Sequence, residues 1–271
     1  MSSEPVDRAR RRALPLLPAA LCAIADGAPT AARRVALLRA IRAMGTPWEA
    51  TALLLTILEE RAVRPEHIRS LYALRALLVE ESATEARTEE ALGYAADVAL
   101  AGGPGVDQLA VLAAATSALD GDWEVLSRRG IPGRPTSEDT RATMRSILAR
   151  EVTPPHENPI DLFRGALPIA GLPTPGSADP VRFYDGLAGS ISLAPQERIA
   201  VVERLGSLTQ VQIDALVGIF EEERVKFLSL DETHYPQLRR LAVEFGVQWI
   251  EVYEGLTGRH VVTPRRRAGD A

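Results

Sequence analysis

The chain has 271 residues, 46 % of them hydrophobic and 25 % charged, with one cysteine and a formal net charge of −5. These are ordinary globular values in a chain long enough to bury a core without staples, which excludes collagen, a disordered chain and a disulfide scaffold. The acidic balance removes nucleic acid and anionic membranes as default partners, because phosphate recognition needs a cationic footprint.

Lys226 is the only lysine, and the skew to arginine is that of a GC-rich bacterial genome. Cys22 has no second cysteine to pair with, so a reducing cytoplasm is the expected setting. At the N-terminus, Arg8, Arg10, Arg11 and Arg12 precede an apolar run from Ala13 to Ala25 that ends in an A-x-A shape. That outline is shared by secretory signals. Pro15 and Pro18 interrupt the run, however, and an amphipathic first helix is the preferred reading. No run reaches the ~18 to 20 uninterrupted apolar residues of a membrane span.

From Pro29 to about Gly130 one helical pattern follows another. Thr30 to Met44 carries Val35, Leu38, Ile41 and Arg42 on one face with Arg33, Arg34 and Arg39 on the other, and Gly45 stops it. Thr46-Pro47 restarts the chain with an N-cap and a proline suited to the first helical position. Further helices are expected from Arg64-Pro65-Glu66 onward, from Thr84 to Leu100, from Val106 to Leu119 and from Trp123 to Arg129. Gly102-Gly103-Pro104-Gly105 punctuates them. Short connections between such elements make antiparallel neighbours, so residues 1–151 read as an antiparallel helical bundle or a short α-solenoid. A last helix of this domain starts at Thr136 or Ser137 and runs to about Glu151.

Residues 152–180 read as a proline-rich linker: positions 153 to 180 hold 7 of the chain's 19 prolines, a density that cannot continue a helix. Within it, Ile160, Leu162 and Phe163 form an apolar motif that either straps onto this protein's own surface or docks on a partner. Residues 181–258 read as a C-terminal helical hairpin. One arm carries Ile213, Leu216, Phe220 and Phe227, interrupted by Glu221-Glu222-Glu223-Arg224. The other carries Leu238, Leu241, Phe245, Trp249 and Val252 at coiled-coil-like spacing. Asp231 to Pro236 lies between them, as a turn or as a kink in one long helix. Residues 259–271, with Arg265-Arg266-Arg267, read as a flexible tail. The class is all-α, since every periodic segment fits 3.6 and none fits 2.

Reaction chemistry is hard to find. His67, His156, His234 and His260 lie in different segments, none paired at the spacing of metal ligands on a helix. Asp231, Glu232 and His234 read as a polar turn. Cys22 sits in a core-like setting that keeps a thiol inert, no Gly-x-Ser-x-Gly elbow occurs, and no glycine loop follows a strand to cradle a phosphate. The terminal arginine clusters lack interleaved aromatics for base stacking. No catalytic, metal or cofactor residue is therefore assigned. The expectation is a non-enzymatic interaction or scaffold protein that assembles with itself or with protein partners through the C-terminal seam, because an apolar stripe shared by only two helices leaves one flank wet. A helical sensor with a small ligand between its helices and a motif-less helical enzyme are the alternatives.

Overall fold

The computed structural model describes residues 14–46, 48–80, 84–151 and 158–259. Arg8 to Arg12, His156, His260 and Arg265 to Arg267 lie outside them. Every regular element among the described residues is a helix, as the period analysis requires. The chain divides into two compact units, Met1–His156 and Glu157–Ala271.

The first unit contains α1 (Leu17–Ile24), α2 (Ala31–Met44), α3 (Trp48–Glu60), α4 (Pro65–Glu80), α5 (Thr84–Ala101), α6 (Val106–Ala118), α7 (Glu124–Ser127) and α8 (Ser137–Leu148). Local chemistry sets their ends. Thr30 Oγ1 accepts from Arg33 N to open α2, and Gly45 closes it in the left-handed region at φ +56°. Thr136 caps α8 in the same way.

The apolar run that opens the described chain is not amphipathic. All of α1 is buried, and it packs against α2, α3, α4, α5 and α6. A helix that is apolar all round belongs in a core. A solenoid repeat meets only its neighbours in the array, whereas this helix touches five others.

Arg33 corrects the expected polar face of α2, because it is 2 % exposed. Its Nη1 donates to both oxygens of Asp26 at 2.7 and 2.9 Å and its Nη2 to the carbonyl of Gly103 at 3.2 Å. Gly102 has no Cβ at the point where one would stand 2.5 Å from Arg33 Nε. Helical periodicity assigned the charge to water, and a local carboxylate with a loop carbonyl brought it inside.

The second unit contains α9 (Pro180–Gly189), α10 (Pro195–Arg204), α11 (Gln210–Leu228) and α12 (Tyr235–Thr257). Residues 229–234 separate α11 and α12, with a short 3-10 turn at Glu232–His234. There the expected polar turn forms: Asp231 caps Thr233 N and holds His234 Nδ1 at 3.0 Å. The two long helices do not zip along a shared seam. Instead α9 packs on both of them, placing Phe183, Tyr184 and Leu187 in one core with Ile213, Phe220, Trp249 and Val252. Ring centroids 5.3 Å apart for Phe183–Tyr184, 5.9 Å for Phe183–Phe220 and 5.7 Å for Tyr184–Trp249 tie it together.

Residues 158–179 are a strap bound to this unit. Trp249 Nε1 donates to the carbonyl of Pro168 at 2.9 Å, Tyr253 OH to Ala170 at 2.8 Å and Tyr184 OH to Pro173 at 2.5 Å. Proline-rich chain offers carbonyls without matching amides, and aromatic side chains with a polar tip supply the donors.

Candidate functional site

The second unit holds a cavity of about 70 Å³ between the strap, α9, α11 and α12. Its wall is aromatic, from Phe163 of the strap, Phe220 and Phe227 of α11 and Phe245 of α12. Small residues make the room: Gly186, Ala188 and Gly189 on α9, and Ala242 and Gly246 on α12. Gly186 has a second role, since a Cβ there would stand 2.8 Å from Phe220 Cβ. α9 and α11 approach this closely only because the side chain is absent.

Six charged side chains surround the aromatic wall. Arg224 makes a two-bond pairing with Asp161, Nε to Oδ1 at 3.1 Å and Nη2 to Oδ2 at 2.8 Å. Hydrogen bonding to Asp161 is the main reason its guanidinium is held more firmly protonated than usual. Arg182 Nε donates to Glu221 at 2.9 Å. Arg164 lies 3.8 Å from both Asp161 and Glu221. Each arginine thus has a carboxylate, and two carboxylates serve three arginines.

Asp185 on α9 stands apart from that lattice. Its Oδ2 accepts from Gly165 N at 2.8 Å, where the strap turns through the left-handed region at φ +67°. Oδ1 accepts nothing from the described residues, and no arginine among them comes within 4 Å of the carboxylate. Burial pushes its carboxyl above the ordinary range; the Gly165 bond and the more distant Arg164 pull the other way, while Asp161 and Asp179 add to the rise.

A second buried charge lies nearby. Arg198 of α10 donates to Gln248 Oε1 at 3.0 Å and to the Ser190 carbonyl at 2.8 Å, with its guanidinium 5.6 Å from the centre of the Phe245 ring. Burial weakens its hold on the proton and the charge of Glu223 opposes that. Glu223 itself accepts from Ile191 N and Ser192 Oγ. The acidic run Glu221-Glu222-Glu223 is therefore no single acidic surface, since two of its members bind within the unit.

The residues expected to form an interaction seam are placed inside this unit. Trp249 is 0 % exposed, and Ile213, Phe220, Leu238 and Val252 are buried with it; Leu216, Phe227, Leu241 and Phe245 are half-buried. α9 and the strap cover part of the stripe, and Leu216, Phe227, Leu241 and Phe245 keep some exposed surface. Of the strap motif, Phe163 is 3 % exposed and lines the cavity with Ile160, while Leu162 is half-buried beside them. Ile160, Phe163, Phe220, Phe227 and Phe245 thus converge on one cavity. In the sequence Glu221 and Arg224 read only as an interruption of the seam; the trace of the charged cluster is the i, i+3 spacing of Asp161 with Arg164 and of Glu221 with Arg224, beside phenylalanines.

Elsewhere the structure offers little reaction chemistry. Cys22 is fully buried, which pushes its thiol up to about 12, only partly offset by Arg33. His67 Nδ1 accepts from Arg64 N at 3.0 Å to cap α4, and burial lowers its proton affinity. No group of three metal-ligating side chains occurs among the described residues, and no described helix is long and apolar enough to cross a membrane. No protein-family model matches the chain, and neither the curated proteins nor the solved structures contain a match to it.

Proposed function

We propose that this is a non-enzymatic binding protein whose second unit holds a small ligand in the cavity between the strap, α9, α11 and α12. The supporting observation is the cavity's construction: an aromatic wall and convergent polar groups, carried on packed helices, is the usual make-up of a small-molecule site. A set of small organic molecules screened by ligand-observed NMR tests it. Gly189 lines the cavity, and a Cβ there meets nothing within 4 Å, so Gly189→Leu adds bulk at the cavity wall without a clash. Binding to the wild type that disappears in a folded Gly189→Leu supports the reading. Binding that survives the plug places the ligand elsewhere.

Self-association is the second reading, and what favours it is the outer face of α11. Val211, Ile219 and Val225 are 78 %, 48 % and 60 % exposed, and they fall on one side of a helix whose other side is already in the core. A second copy pairing through this face raises the mass seen by light scattering above 29.3 kDa at roughly tens of micromolar, where weak interfaces are already populated. Val225→Glu returns it to one chain. A single-chain mass for the wild type removes this reading.

A further inference from the structure

We infer that the cavity takes a small alkylammonium ion, whose nitrogen donates to the free oxygen of Asp185 while its hydrocarbon part lies on the phenylalanine wall. This rests on the reading of the cavity as a ligand site and adds the class of ligand.

Size sets the first limit. A buried water needs about 10 to 15 Å³ of such space, so 70 Å³ suits a body of about five non-hydrogen atoms. Charge sets the second. An incoming carboxylate would need an arginine, but Arg224 is held by both oxygens of Asp161, Arg182 by Glu221, and Arg164 stands 3.8 Å from each of those same two carboxylates. Two-bond arginine–carboxylate pairing is among the strongest polar contacts in proteins, and a competing anion would have to displace it.

Asp185 has the opposite need. Its one hydrogen bond comes from a backbone amide, Arg164 and Arg224 act on it only from beyond 4 Å, and Asp161 and Asp179 are also negative. An ammonium group brings the second oxygen a donor and a positive charge at bonding distance in one atom. The carboxylate is also fixed in place. It sits on α9 between Tyr184, bound to the strap, and Gly186, pressed against Phe220, so little ordering remains for binding to cost.

The Gly165 amide, bonded to Asp185, gives a direct readout. Full-length protein labelled with nitrogen-15 is titrated with butylammonium chloride, butan-1-ol and sodium butanoate at matched ionic strength. Butylammonium is expected to shift the Gly165 resonance saturably and to bind at least tenfold more tightly than the other two. Asp185→Asn keeps an acceptor for Gly165, and its affinity for butylammonium should fall tenfold or more; Gly189→Leu should abolish binding. Butanol or butanoate binding as tightly as the amine overturns the ammonium assignment while leaving the cavity reading intact, and an unchanged affinity in folded Asp185→Asn removes Asp185 as the receiver. If no probe moves Gly165, Gly186 or Gly246, both readings fall together.

Discussion

Two aspartates with opposite environments show how a single carboxylate can work for or against the fold. Burial acts to raise Asp26 too, but Arg33, through its hydrogen bonds and its charge, outweighs it and holds the carboxyl below its ordinary 3.8. The folded state then binds fewer protons than the unfolded one. The stabilisation is present above pH 3.8 and lost as pH falls through the lower folded value. Asp185 is the reverse: its folded value is raised above 3.8, so stability declines as pH climbs from there through the folded value. Urea unfolding of the variants at pH 4 and pH 7 separates the two. Asp185→Asn should gain on the wild type as pH rises, whereas Asp26→Asn should lose about 1 to 3 kcal/mol at pH 7 by leaving the buried Arg33 short of its acceptor. Equal effects of Asp185→Asn at both pH values would mean that burial does not raise this carboxyl.

Among the elements of the second unit, α9 joins both long helices in one core. An alanine in place of glycine ordinarily favours a helix interior by about 1 kcal/mol. At Gly186 the sign should reverse, because the clashing atom is Phe220 Cβ, which no rotamer change can move; Gly186→Ala is expected to destabilise by about 1 to 3 kcal/mol in chemical denaturation. The strap makes a parallel case. Trp249→Phe keeps most of the ring but leaves the Pro168 carbonyl without its donor, and should cost about 1 to 3 kcal/mol.

Helix positions were legible in the sequence because caps and punctuation are local: Thr30, Gly45, Pro65 and Thr136 each act within a turn of the boundary they set. The insertion of α9 was not legible. It depends on Gly186 meeting Phe220, a contact between distant segments to which no periodicity points. The same holds for the strap, whose prolines signal the end of helix but not which indole or phenol will bind their carbonyls. The cavity was half legible, its phenylalanines standing out as an apolar seam and a docking motif while its charges read as a solvated interruption.

On the scale of the whole molecule, the division lies at residues 156 and 157, and residues 158–179 belong to the C-terminal unit by their hydrogen bonds. Under limited proteolysis the bonds between Phe163 and Pro180 should be cut late, and peptides from this stretch should remain with the C-terminal fragment in mass spectra. Early cleavage there would show that the strap does not hold in solution.

The strap also imposes an order on the birth of the protein. Pro168 and Ala170 wait for donors 81 and 83 residues further along the chain, whereas the residues of the first unit have all been made by His156. At roughly 5 to 20 residues per second of synthesis, the strap leaves the ribosome about 4 to 16 s before Trp249 does. During that interval its apolar residues have no finished site, and the cavity comes into being only as the last helix emerges.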